Sequence, residues 1–211
     1  MKNLNASAEN WESTKTSVFW GEIAPCDHVV QIYEDHDCFL STLEEFIVSG
    51  LLADEGVVII ATDVHLRALR ERLQKRGLSA DVLAGADQYF QIEARLALDE
   101  FMVNNWPDEG LFEAWINSII KRAKRNRKKV RAFGEMVALL WADGKNGPTV
   151  QLEKLWNKLH DKDEFSLYCA YPRTGFTQSP AESLKTICNA HHRVIDGQLS
   201  GRSLIYHRAN I

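Results

Sequence analysis

HVVQIYEDHDCFLSTLEEFIVSGLLADEGVVIIAT (28–62) decides the fold. HVVQIY (28–33) is a β-rich apolar run of strand length. CFLSTLEEFIVSGLL (38–52) places Phe39, Leu40, Leu43, Phe46, Ile47 and Leu51 at helical spacing. VVIIA (57–61) is apolar at every position, the mark of a strand covered on both faces. A strand, an amphipathic helix and a buried strand in succession make a βαβ unit with parallel strands. Asp35 or Asp37 suits the N-cap of the helix.

The alternation continues outward. Thr62 or Asp63 caps a helix running to Arg76, and Gly77 stands where a helix-ending glycine belongs. A short strand is expected near Val82 and another at QYFQI (88–92). Helices are expected over 93–105 and, after Trp106-Pro107-Asp108, over about 109–125, where Leu111, Phe112, Trp115, Ile116, Ile119 and Ile120 form the apolar stripe. KVRAFG (129–134) reads as a strand, and EMVALLWADG (135–144) fits either strand or helix. Pro148, tolerated in a first helical turn, opens a helix through TVQLEKLWNKLH (149–160). FSLYCA (165–170) is a strand and AESLKTICNAHH (181–192) a last helix. The expected fold is a three-layer α/β domain over residues 26–195, with a mainly parallel sheet and helices on both faces. Residues 1–25 read as a poorly ordered leader, and 196–211 as a tail. The aromatics Phe19 and Trp20 leave two possibilities for residues 17–25, packed on the domain or loose.

The composition agrees with one soluble domain. Of 211 residues, 45% are hydrophobic and 26% charged, an ordinary globular balance. No apolar run approaches the ~20 residues of a membrane-spanning helix, and the N-terminus has no apolar core of a secretory signal. A cytoplasmic location without membrane contact is therefore expected. Cys26, Cys38, Cys169 and Cys188 form no CxxC pair, so reduced thiols are expected. The net charge of −4 does not suit a general nucleic-acid binder.

In parallel sheets ligands bind beyond the carboxyl ends of the strands. Polar residues stand at four such ends: Tyr33-Glu34-Asp35, Thr62-Asp63, Glu135 and Tyr171. A nucleotide-binding loop there would need glycines for backbone amides to wrap phosphates, and a lysine for their charge. EDHDCF (34–39) has neither and carries carboxylates instead, which repel phosphate. Glu34, Asp35 and Asp37 could hold a hard cation or cap the following helix. In VRAFGEM (130–136), Arg131, Phe133 and Glu135 share one face if the segment is a strand. Arg131 and Glu135 then lie about 13 Å apart, too far to pair. A buried unpaired charge is costly, so each has another partner: a structural ion-pair network or a ligand.

KRAKRNRKKVR (121–131) holds eight of the 25 basic residues. It reads as a solvated helix end whose cations complement the dipole, with contact to an acidic partner or nucleic acid as the minority reading. His191-His192 is not metal-ligand spacing on a helix, and no HExxH motif or local Cys/His cluster is present, so neither a metal nor a cofactor is expected. Nothing in the sequence positions a Cys–His nucleophile.

HVVQIYED (28–35), GLLADEGVVIIAT (50–62), VRAFGEMVALLW (130–141), LEKLWNKL (152–159), FSLYCAYP (165–172) and IC…H (187–191) together resemble the MEDS family, a methanogen/methylotroph sensory domain named from a dichloromethane-responsive regulator. The resemblance runs from about residue 26 to about 195. It implies a RecA/KaiC-like fold without its phosphate loop and a sensory role with small hydrocarbon-derived ligands. The family's polar positions fall on His28, Tyr33, Glu34, Asp35, Arg131, Glu135, Glu153 and Tyr171. QIEA (91–94) departs from the family pattern, and the chain ends soon after the domain, so a separate histidine kinase or transcription regulator is the expected partner, with a homodimer also compatible. The expected function is a non-enzymatic sensor, with a ligand site at His28, Tyr33, Glu34, Asp35, Thr62, Arg131, Phe133, Glu135 and Tyr171. A ligand-free structural adaptor on a degenerate ATPase fold is the alternative, and an enzyme using Glu135 or Cys169 a third reading.

Overall fold

The computed structural model describes residues 11–15, 20, 27–127, 129–177, 180–197 and 203–208. In chain order its elements are β1 (Trp11–Lys15), β2 (His28–Tyr33), α1 (His36–Leu52), β3 (Gly56–Ala61), α2 (Asp63–Lys75), α3 (Ala80–Gly85), β4 (Tyr89–Glu93), α4 (Ala94–Asp99), β5 (Met102–Val103), β6 (Trp106–Pro107), α5 (Glu109–Lys124), β7 (Val130–Gly134), α6 (Met136–Ala142), α7 (Asn146–Lys162), β8 (Ser166–Pro172), α8 (Pro180–Asn189), β9 (Arg193–Gly197) and β10 (Ser203–Arg208). Among the described residues the main sheet runs β1-β10-β9-β2-β8-β7-β3-β4. The strands from β9 to β4 are parallel, while β10 lies antiparallel to β9 and β1 antiparallel to β10.

Strand alternation sends side chains to two cores. Val30, Ile32, Val58, Ile60, Val130, Ala132, Leu167 and Cys169 pack against α4 to α8. Val29, Val57, Ile59, Ala61, Phe133, Tyr168 and Ala170 pack against α1 to α3. This is the expected three-layer α/β architecture. No helix among the described residues is long and apolar enough to cross a membrane.

Four local expectations need correction. The segment near Val82 is helical, because Ser79 caps α3 by accepting from the Val82 amide. The helix expected over 93–105 stops at Asp99. Asn104 and Asn105 both hold positive φ and turn the chain into the β5–β6 hairpin, a turn asparagine tolerates well. The last helix ends at Asn189 rather than His192, since the His192 amide is drawn to the His28 carbonyl at the sheet. Residues 11–15, within the expected leader, form an edge strand, and residues 193–197 and 203–208 carry the sheet into the expected tail. Trp20 packs on Phe46 and Tyr168; residues 17–19 and 21–25 lie outside the described residues. The ambiguous segment after Gly134 is helical as α6.

The basic run is less solvated than its composition suggests. Arg122 binds Asp87, and Arg127 binds Asp54 and donates to the Ala86 carbonyl; Lys128 lies outside the described residues. These arginines fasten the end of α5 to the loops that lead into β3 and β4.

Candidate functional site

The loops leaving β2, β3 and β7 meet at the carboxyl edge of the sheet, and Glu135 is their junction. It follows Gly134 directly, and its backbone amide donates to the Ile60 carbonyl, which continues the β3–β7 pairing by one step. Glu135 takes helical φ and ψ as the residue before α6 but does not cap that helix. Its carboxylate reaches across to β3 instead. Oε2 accepts from the Thr62 amide at 2.8 Å and lies 2.8 Å from Nδ1 of His65, in the first turn of α2. An ionised carboxylate only accepts, so that imidazole nitrogen carries the bridging proton. Glu135 and His65 each keep 7% of their surface exposed.

An aromatic wall adjoins this pair. Tyr33 stacks on Phe39 at 4.5 Å, Phe39 sets its ring against His65 at 5.2 Å, and the exposed His36 lies 4.8 Å from His65. Phe133 is fully buried beneath them, 5.9 Å from Phe39. Burial first, and the Glu135 charge second, push the Tyr33 phenol up from its ordinary range. The edge therefore offers a carboxylate, two imidazoles and a neutral phenol beside apolar ring faces.

The other expected site residues separate into three places. Asp35 caps α1 by accepting from the Asp37 amide at 3.1 Å, and Glu34 pairs with Arg173 at 2.8 Å. Capping is thus what the structure records for the acidic loop. Arg131 sits near the opposite, amino end of the sheet. Its guanidinium binds Glu55 at 2.5 Å and donates to the Phe46 carbonyl at 2.8 Å and to Ser49 Oγ at 2.7 Å. It has a structural ion pair and does not reach the carboxyl edge. His28 and Tyr171 turn to the α7 face, away from Glu135.

That face holds a second constellation. His28 opens β2, Cys169 lies on β8 beside Val30, Glu153 is on α7 and His191 follows α8. His28 Nε2 is 3.4 Å from Cys169 Sγ and 3.7 Å from Glu153 Oε2, and His191 Nε2 is 3.5 Å from the same oxygen. All four donor atoms lie within 4.8 Å of one another, and all four residues are buried. Tyr171 donates to Glu153 Oε1 at 2.5 Å. Burial pushes the Glu153 carboxyl up to about 7 and the Cys169 thiol well above its ordinary value, and holds His28 low and His191 at about 4. A raised, inaccessible thiol is the opposite of what a nucleophilic cysteine needs.

Sequence reasoning missed His36, Phe39 and His65 at the edge, although each lies in the first turns of a helix that follows a strand. It named Cys169 only as a possible nucleophile and set His191 aside, and did not join the two, which come together only through tertiary packing. Glu135→Gln separates an edge site from an ion pair. Gln still accepts from the Thr62 amide, so urea melts are expected to show a loss of about 1 kcal/mol or less. A loss above about 3 kcal/mol would instead mark Glu135 as half of a buried ion pair.

A family model described as the methanogen/methylotroph DcmR sensory domain, MEDS, matches residues 27–192. A search of curated protein sequences found no match. Among solved structures, a KaiC-like protein from the hyperthermophilic archaeon Pyrococcus horikoshii OT3 is 11% identical with a TM-score of 0.55, covering 84% of this chain and 76% of that one. A second protein from the same organism is 11% identical with a TM-score of 0.56, covering 87% and 88%. At such identity the likeness speaks for the fold alone, and it agrees with a parallel sheet flanked by helices.

Proposed function

Because the chain belongs to the MEDS family of sensory domains, we propose that it is a cytoplasmic sensor, without enzymatic activity, that binds a small, largely neutral molecule over Glu135 and His65 and regulates a separate signalling protein. The observation that carries this reading is the setting of the Glu135 carboxylate. Among the described residues the one side chain bonded to it is His65, and the pair stands at the sheet edge beside the Tyr33–Phe39 stack. A molecule with one hydrogen-bonding group and an apolar remainder matches that combination, as a short alcohol would. The regulated partner is a histidine kinase or a transcription regulator, engaged by a monomer or a homodimer.

Native mass spectrometry of the purified protein tests the reading. An adduct of one small organic molecule, lost in the Glu135→Gln His65→Ala double variant, is the expected result. An adduct that survives both substitutions would overturn the assignment of the edge.

Nucleotide is not the expected ligand. Phosphate binds helix N-termini through free amides, but at α1 the Asp35 carboxylate occupies that end and Asp37 stands in the first turn. Calorimetric titration with Mg-ATP is expected to give no measurable binding. A dissociation constant below about 10 μM, some −7 kcal/mol, would contradict it.

A further inference from the structure

We infer that His28, Glu153, Cys169 and His191 form a buried, four-coordinate site for a divalent transition-metal ion of the zinc class. The orientation of the donors carries the inference. Asn157 Nδ2 donates to the Ala190 carbonyl at 2.9 Å, which turns Asn157 Oδ1 toward His28 Nδ1 at 2.8 Å. An amide oxygen only accepts, so the His28 proton sits on Nδ1 and the Nε2 lone pair faces the cluster. His191 repeats the device, with Nδ1 donating to the Ile187 carbonyl at 2.7 Å. Glu153 uses Oε1 for the Tyr171 hydroxyl, which leaves Oε2 pointing inward. Among the described residues neither Glu153 Oε2 nor His191 Nε2 has a hydrogen-bond partner, although each residue is only 1% exposed.

An acceptor that is buried and unpartnered is costly. Here two such atoms converge with a third lone pair and a thiol. Metal-bound histidines characteristically donate their other nitrogen to a carbonyl or carboxylate, and ligating carboxylates are themselves hydrogen-bonded. All three outer contacts are in place. Tetrahedral bonds of about 2.0–2.3 Å hold ligand atoms about 3.3–3.6 Å apart, and the contacts of 3.4, 3.5 and 3.7 Å are near that spacing. Charge also balances: a thiolate and a carboxylate with two neutral imidazoles offset a divalent ion, and the thiol proton is released to water on binding. A thiolate with imidazoles favours zinc, or iron(II), over magnesium or calcium. Four protein ligands without an exposed face describe a closed, structural site. The ion would join β2, α7, β8 and the turn into β9.

The test uses the full chain purified from cells grown with zinc, and separately with cobalt(II) as a spectroscopic probe. Stoichiometric metal is expected. X-ray absorption should give one sulfur at about 2.3 Å and three nitrogen or oxygen ligands at about 2.0–2.1 Å, and the cobalt form a thiolate charge-transfer band. That band should vanish in Cys169→Ser and persist in Cys38→Ser. Asn157→Ala, which removes only an outer contact, should weaken affinity about 10–100-fold. The absorption measurement needs no variant, so a Cys169→Ser chain that fails to fold leaves the test intact. Substoichiometric metal, a shell with no sulfur or with several, or a thiolate band retained in Cys169→Ser would overturn the proposal.

Discussion

Arg131→Ala is expected to cost about 3–5 kcal/mol in urea-derived stability, the range for breaking a buried ion pair by removing one partner. Arg131 is 4% exposed. Its guanidinium satisfies the Glu55 carboxylate, the Phe46 carbonyl and Ser49, and lies 5.0 Å over the Phe46 ring. Without it, a carboxylate with a 13% exposed side chain and a main-chain acceptor face a void. The helix is shaped around this side chain: a Cβ on Gly50 would stand 2.5 Å from Arg131 Nε. Replacing both charges by apolar groups, Arg131→Met with Glu55→Leu, should recover most of the loss, because the penalty belongs to the orphaned partner. A midpoint shift at unchanged denaturant slope reads stability cleanly. A loss under about 1 kcal/mol for Arg131→Ala would return this residue to the pool of ligand-binding candidates.

The second large effect is expected at Gly56, the first residue of β3. A Cβ there would meet the Ala123 carbonyl oxygen at 2.4 Å and its carbon at 2.9 Å. Both are backbone atoms of α5, so no side chain can rotate away. Glycine in a strand commonly marks such close approach. Gly56→Ala must push α5 off the sheet and disturb the Gly56 amide, which donates to the Lys129 carbonyl at 2.9 Å. About 3 kcal/mol, the upper part of the range for overpacking, is the expected loss by urea melts. An unchanged stability would mean that α5 packs more loosely than described.

The layers of the fold were legible because they rest on local signals. Unbroken apolar runs at 28–33 and 57–61 became central strands, and the helical stripes of α1, α5 and α7 met the two sheet faces. What failed was also local in cause. RVIDG (193–197) and SLIYHR (203–208) carry too few apolar residues to mark strands before a neighbour is known. Two asparagines hid a hairpin inside an apparent helix.

The candidate site was legible in outline: polar residues at strand ends pointed to Tyr33, Thr62 and Glu135, which the fold brings to one edge. The required separation of Arg131 from Glu135 also held, and each has its own partner. The identity of those partners could not be read, because Glu55 and His65 are distant in sequence. Tyr171 was misplaced for a simpler reason. It sits near a strand's carboxyl end, but alternation turns its side chain to the α7 face. The histidine pair at 191–192 divides its roles the same way. His191 faces Glu153, while His192 Nδ1 accepts from the His28 amide at 3.0 Å.

Ligand recognition at the carboxyl edge is tested most directly by nuclear magnetic resonance titration of the uniformly 15N-labelled chain, with methanol, ethanediol and dichloromethane as separate probes. The Thr62 amide donates to Glu135 and reports on that carboxylate, while the imidazoles of His36 and His65 report on the adjoining wall. Saturable shifts confined to Thr62, His36, His65 and the residues around Tyr33 and Phe39, abolished in the Glu135→Gln His65→Ala variant, are the expected result. Saturable shifts centred elsewhere, or no saturable shift with any of the three probes, would contradict the proposed site.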